Sequence, residues 1–311
     1  MIGELFSIVL PVFGLIGIGF LAASLGLLSR KAGEGLSDFV SAIGIPTLIF
    51  RTMATASLPE AQPWGYWIAY FSGLAIVWVS AMTLARRGFG TSQGQSVAAG
   101  YAAAQSNTAL VGIPLIYRVF GDAGAVPLFL LLAIHLPITL TTATILYQGM
   151  AGFSPRRMLR RLLLHPIIVG LALGLAFRFS GLPLAGPAKA IVDQLAGASI
   201  PCALIAMGLA LHRYGLQADK RLTAAICTLK LLVHPAIVYI LAFKVFTMPP
   251  VWGGVAVIFA AMPCGINAWL VADHYGEGVA EASSAIAVST SLCVLTVLFW
   301  LWLLGVGAGQ M

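Results

Sequence analysis

Charge is scarce in this sequence. Only 9% of its 311 residues are Asp, Glu, Lys or Arg, while 60% are hydrophobic; a soluble domain carries about 25% charged and about 45–50% apolar residues. So few charges cannot cover a surface in water. Lipid must be the solvent for most of it, and the chain reads as an all-α integral membrane protein. Cysteine is sparse as well: Cys202, Cys227, Cys264 and Cys293 each stand alone in an apolar run, which excludes a disulfide framework or a Cys/His metal centre. Long polar stretches are missing, so there is no room for a separate soluble domain. No Walker, dinucleotide-binding, HExxH or serine-nucleophile pattern occurs, so ATP-driven transport, enzymatic hydrolysis and a bound cofactor have no support. The net charge of +7 does not point to nucleic acid, because the bases sit in short clusters between apolar runs: Arg30–Lys31, Arg86–Arg87, Arg156–Arg157, Arg160–Arg161, and Arg213 with Lys220–Arg221. Cytoplasmic loops facing anionic lipid have that pattern.

Apolar length is what the sequence has in abundance. A spanning helix needs about 20 mostly apolar residues. Ten runs qualify, near 5–28, 34–56, 64–85, 95–119, 123–148, 163–180, 187–211, 221–246, 251–273 and 280–307. No basic residue precedes the first run, which is also too long for a signal peptide, so it reads as a retained span. The loops after spans 1, 3, 5, 7 and 9 hold 2, 2, 4, 3 and 0 Lys or Arg, 11 in all. The other side holds five, Arg51, Arg118, Arg178, Lys189 and Lys244, and Lys230 lies inside a span. The positive-inside rule puts the first side in the cytoplasm and both termini outside the cytoplasmic (inner) membrane.

Shifting the chain by 155 residues aligns its halves without a gap. Pro11 meets Pro166, Gly19 meets Gly174, Gly26–Leu27 meet Gly181–Leu182, Asp38 meets Asp193, Ile45–Pro46 meet Ile200–Pro201, and Gly121–Asp122 meet Gly276–Glu277. The third and eighth spans show no clear match. The expected organisation is a five-helix repeat over 1–148, a basic cytoplasmic linker over 149–162 and a second five-helix repeat over 163–311. An odd number of spans per repeat inverts the second copy, a recurrent plan among secondary transporters.

Two spans carry Gly, Pro and Asn together, which breaks the internal backbone pairing that hydrocarbon demands. The fourth reads Gln105-Ser106-Asn107-Thr108-Ala109-Leu110-Val111-Gly112-Ile113-Pro114, and the ninth reads Met262-Pro263-Cys264-Gly265-Ile266-Asn267-Ala268-Trp269. They are the fourth elements of the two repeats, where a transporter's binding site is expected. A half-helix starting at mid-membrane offers free N–H groups and a positive dipole end. With the amides of Asn107 and Asn267 and the hydroxyls of Ser106 and Thr108, it suits a small carboxylate anion. Read separately, each span could equally be a proline kink with its Asn bonded between helices. In strict register Asn107 faces Met262 rather than Asn267, so the copies diverge here.

Five charged or titratable residues have open readings. Lys230, with His234 one turn on, either attracts an anion or pairs a carboxylate as an intramembrane charge, or snorkels to the interface. Asp38 and Asp193, placed by the pattern in first turns of their helices, either cap them or couple protons. His135 is a relay candidate or a hydrogen-bonded core group. Gly170 and Gly174 form a close-packing pair, within the chain or between copies.

Taken in order, Leu10-Pro11-Val12-Phe13 leading to Gly19, Ile45-Pro46-Thr47-Leu48-Ile49-Phe50-Arg51, Asn107-Thr108 with Gly112-Ile113-Pro114, and Pro263 with Asn267-Ala268 resemble the auxin efflux carrier family. That family includes plant PIN proteins and bacterial malate or malonate carriers. The resemblance implies a ten-helix fold like that of bile-acid symporters and sodium/proton exchangers, with broken helices 4 and 9 crossing near Pro114 and Pro263. It implies substrate contacts from Asn107 and Asn267; Pro114, Pro263, Gly112, Gly265, Ser106 and Thr108 of the two broken stretches complete the candidate substrate-binding set. It also implies scaffold helices 1, 2, 6 and 7 that carry a homodimer, and transport helices 3–5 and 8–10. The expected function is secondary transport of a small organic anion by elevator-type alternating access. The alternative is a sodium- or proton-coupled exchanger. A membrane-embedded receptor or enzyme would need a sensing domain or a catalytic dyad, and neither is visible.

Overall fold

A computed structural model describes residues 2–55 and 64–306; the ends of the expected second and tenth spans, 56 and 307, fall outside them. Among the described residues every regular element is a helix. In order they are α1 (Ile2–Ser24), α2 (Arg30–Phe39), α3 (Ile45–Thr55), α4 (Trp64–Thr83), α5 (Gln93–Ala104), α6 (Ile113–Phe120), α7 (Ala125–Gly152), α8 (Pro155–Leu163), α9 (Pro166–Phe179), α10 (Gly186–Leu211), α11 (Lys220–Thr228), α12 (His234–Ile240), α13 (Pro250–Ala261), α14 (Ile266–Tyr275) and α15 (Val279–Leu303). Among the described residues, seven helical stretches are long and apolar enough to cross a membrane, α2–α3, α6–α7 and α11–α12 each counting as one, or eight if the α8–α9 pair, bent by 60°, is added. The protein is therefore an all-helical integral membrane protein. The expected fourth span is split between α5 and α6, and the expected ninth between α13 and α14. Part of the basic linker is helical: α8 carries Arg156, Arg157, Arg160 and Arg161, starts at Pro155 and is capped by Ser154.

Several helices run on through single π-turns, and three of these turns have a common cause. The turns Val40–Gly44, Thr108–Gly112 and Leu229–Val233 end two residues before Pro46, Pro114 and Pro235. A proline ring clashes with the turn before it and donates no N–H; a π-turn there widens the helix to receive the ring. Helix starts follow local chemistry. Ser29 caps α2, Ser92 and Gln95 form a capping box on α5, and Asp219 accepts from Arg221 and Leu222 at the head of α11.

α1 lies along α10 and α9 along α3, at glycines that let backbones touch. A Cβ on Gly19 would collide with the Ile205 carbonyl oxygen, and one on Gly174 would stand 2.9 Å from that of Phe50. Gly170 meets Pro46 in the same way. The Gly170–Gly174 pair is thus used within the chain. The partners Ile205 and Phe50 are themselves 155 residues apart, as Gly19 and Gly174 are. Gly26 and Gly181, another pair at that offset, both adopt φ +69°. α2 packs on α10, α4 lies beside α5 and α12, and α11 lies beside α15.

Candidate functional site

The chain leaves helical geometry at Gln105 (φ −78°, ψ 116°) after α5, and at Met262 (φ −62°, ψ 151°) after α13. Each break exposes backbone groups that lipid cannot satisfy, and the two breaks satisfy each other. Asn107 N–H donates to the Pro263 carbonyl at 2.9 Å, and Gly265 N–H donates to the Gln105 carbonyl at 2.7 Å. Ser106 and Cys264 face one another in a one-residue antiparallel bridge. Cys264 N–H donates to Ser289 Oγ of α15 at 3.0 Å. The crossing lies at Ser106 and Cys264. That is beside Pro263 as expected, but eight residues before Pro114. Pro114 instead lies inside the half-helix, accommodated by the π-turn Thr108–Gly112 before it, and residues 105–107 make the break.

Lys230 stands behind the crossing. It is wholly buried, and its Nζ donates to the Ala260 carbonyl at 2.7 Å and to Ser106 Oγ at 2.7 Å, and lies 3.3 Å from His234 Nδ1. Ala260 is in the last turn of α13, where carbonyls lack partners and the dipole favours a cation. The ammonium therefore points to the middle of the protein and does not snorkel. Trp300 Nε1–H donates to the Leu231 carbonyl at 2.9 Å, the group four residues before Pro235 that proline leaves without a donor. His135 Nδ1 and Tyr70 OH are 3.0 Å apart. Among the described residues, no acidic side chain bonds Lys230.

A cavity of about 610 Å³ runs from Arg30, Glu34 and Arg213 to the crossing, within the range for sites of small ligands. Ser106, Asn107, Thr108, Gly265 and Asn267 line it, with Gln105 and His135. At its mouth, Arg30 and Arg213 hold Glu34 at 2.9 and 3.0 Å, exposed pairs worth about 0–1 kcal/mol each. At the other end of the protein, Thr52 Oγ1 on α3 and Tyr117 OH on α6 are 2.6 Å apart.

Of the residues singled out from sequence, Lys230 and His234 lie behind the lining and Pro263 contributes its carbonyl. Gly112 is buried in the π-turn against Thr108 and Met262. Asp38 lines the mouth. Asp193 is elsewhere, paired with Lys189 and, at 3.6 Å, with Arg51. Neither Asp is in a first turn: Asp38 is nine residues after the cap Ser29, and Asp193 is seven after Gly186, the first residue of α10. Gln105, Tyr70, Ser289 and Trp300 escaped the sequence reading. Only Gln105 had a signal, its place at the head of the Gly/Pro/Asn stretch.

Sequence relatives of the chain are described as transport proteins. A family model described as "Membrane transport protein" matches residues 5–157 and 150–301. A protein of Rhizobium meliloti (strain 1021) named "Putative malonate transporter" is 27% identical over 314 residues, covering 98% of this chain and 97% of its own. An "Uncharacterized transporter" of Methanothermobacter thermautotrophicus is 27% identical over 298 residues, covering 94% and 96%. With matches along both halves, the chain belongs to the auxin efflux carrier family of membrane transport proteins.

Proposed function

We propose that this protein is a secondary transporter that carries a small organic carboxylate across the cytoplasmic membrane. One observation carries the reading: two helix breaks meet at the end of a cavity lined by amides and hydroxyls, and the ammonium behind them, Lys230, has only neutral partners. A buried cation without a counter-charge is costly, and an anion in the cavity would offset that cost. The name of the Rhizobium relative makes malonate the first substrate to try.

The path is ten crossings in two inverted five-helix repeats, counting α5–α6 and α13–α14 as one crossing each. The equivalent contacts of Gly19 and Gly174, and the equal φ of Gly26 and Gly181, support that symmetry. α1, α2–α3, α9 and α10 form the scaffold and carry a homodimer; the other helices move as the transport unit, elevator-fashion. With the basic loops in the cytoplasm and both termini outside, the cavity faces the cytoplasm and the Thr52–Tyr117 contact closes the outer side.

Purified protein in liposomes should take up labelled malonate, and Asn107→Ala should abolish uptake. Imposed proton, sodium and voltage gradients then identify the coupling. No uptake of malonate or any other small mono- or dicarboxylate would sink the proposal. Uptake unimpaired in Asn107→Ala would remove Asn107 from the site.

A further inference from the structure

The two half-helices that begin at the crossing differ at their N-termini. The one leading into α6 is closed by its own residue: Asn107 Oδ1 accepts from Leu110 N–H at 3.4 Å, and its Nδ2 is spent on Met207 Sδ at 3.1 Å. The other, α14, starts at Gly265 with no side-chain cap, and the N–H groups of Ile266 and Asn267 find no acceptor among the described residues. An uncapped helix start inside a membrane protein leaves donors that water or a ligand must satisfy.

A second group beside it is also unused. The backbone of Gln105 is fully engaged, its N–H on the Tyr101 carbonyl at 2.7 Å and its carbonyl on Gly265 N–H at 2.7 Å. Its side chain is not. Gln105 is 3% exposed and lines the cavity, and its enclosed Oε1 has no partner. Buried amides are nearly always bonded, so one left over calls for a physical reason. The side chain lies over the start of α14: a Cβ on Gly265 would stand 2.8 Å from Gln105 Cγ.

We propose that Gln105 is a substrate-binding residue, and that its amide and the uncapped start of α14 together hold one carboxylate of the transported anion. The assignment rests on the carrier reading of this cavity. An ionised carboxylate has two oxygens that only accept. One takes the free N–H groups of Ile266 and Asn267, and the other takes the Gln105 amide, whose NH₂ end turns to it, the two ends of a glutamine amide being interchangeable by rotation. The seat consists of donors without a formal charge. Its selectivity comes from charge: the positive dipole end of α14 favours an ionised carboxylate over the corresponding neutral amide.

The test uses full-length purified protein with malonate as probe and the neutral diamide, malonamide, as control. Malonate should raise the unfolding temperature of the wild type and malonamide should not. Gln105→Met keeps the length and removes the idle amide. Its ligand-free unfolding temperature should equal or exceed that of the wild type, while its affinity for malonate falls at least tenfold. Gln105→Glu keeps the shape and places a carboxylate in the seat, which should eliminate malonate binding. An affinity within threefold of wild type in Gln105→Met, or malonate binding retained in Gln105→Glu, overturns the assignment. Should Gln105→Met not fold, Gln105→Asn, which withdraws the amide by one methylene, must lose affinity by the same criterion. A wild type that binds and transports no small carboxylate defeats the carrier reading itself. A wild type that does, with variants that behave like it, defeats only the role of Gln105.

Discussion

Replacing Gly265 by alanine adds one methyl group where the two helix breaks cross. The backbone there, φ −77° and ψ 145°, suits alanine as well as glycine, so any effect comes from crowding. The new Cβ would stand 2.8 Å from Gln105 Cγ, 3.0 Å from the Ser106 carbonyl oxygen and 3.1 Å from its carbon, where ordinary contact begins at 3.4 Å. The breaks must separate by about half an ångström, or Gln105 must swing away; overpacking of this kind costs about 1–3 kcal/mol. The Gly265–Gln105 and Asn107–Pro263 hydrogen bonds, at 2.7 and 2.9 Å, resist the separation, so the strain falls on the binding geometry. At about 1.4 kcal/mol per decade, malonate affinity should drop about 5- to 150-fold. Titration by thermal shift measures it, with Gly197→Ala as control because nothing lies within 4 Å of a Cβ there. A Gly265→Ala protein that binds malonate within twofold of wild type would refute the reasoning, since the crossing would then have slack that its contacts do not show.

Lys230→Met leaves the Ala260 carbonyl and Ser106 hydroxyl without their donor, at about 1–3 kcal/mol per buried group; liposome uptake should fall below about a hundredth of wild type, and uptake near the wild-type rate would exclude the lysine from the site. Ser289→Ala strips the Cys264 N–H of its acceptor and should lower stability by about 1–3 kcal/mol in denaturation of the purified protein, whereas Ser291→Ala, an exposed hydroxyl bonded to its own helix, should change little. Tyr117→Phe removes the contact with Thr52, worth about 0.5–1.5 kcal/mol, and should move the alternation about 2- to 12-fold towards opening at that end. A cysteine placed at Ala109, which lines the cavity, should then label more slowly from the basic-loop side.

Apolar runs and basic clusters made the helical membrane character legible, because both record a solvent rather than a particular contact. The breaks were legible too, since Gly, Pro and Asn inside an apolar run leave few other backbone solutions. Their pairing was not: which residue lies opposite Ser106 depends on how two distant segments cross, and the 155-residue register fails there. Lys230 illustrates a related limit. Its distance along the helix allowed it to snorkel, and only the uncapped end of α13, brought in by the fold, draws the ammonium inward. Asp38 was misplaced because Ser29 starts its helix earlier than hydropathy suggests, whereas α10 starts where its apolar run begins and Asp193 already falls in its second turn. Gln105 was part of the motif, yet its idleness is visible only once every neighbour's bonds are known.

The reciprocal hydrogen bonds at the crossing bear on how such a chain can be divided. A fragment ending before α8 would enter lipid with the Asn107 N–H and Gln105 carbonyl unmatched, and a fragment starting there would carry the Pro263 carbonyl and Gly265 N–H in the same condition. Each such group costs several kcal/mol in hydrocarbon. Neither half is a stable unit by itself, and the smallest heritable module is a pair of halves. On the inverted-repeat organisation proposed above, an ancestor encoding one half needed a second copy, inserted upside down, to complete its backbone before there was anything to transport.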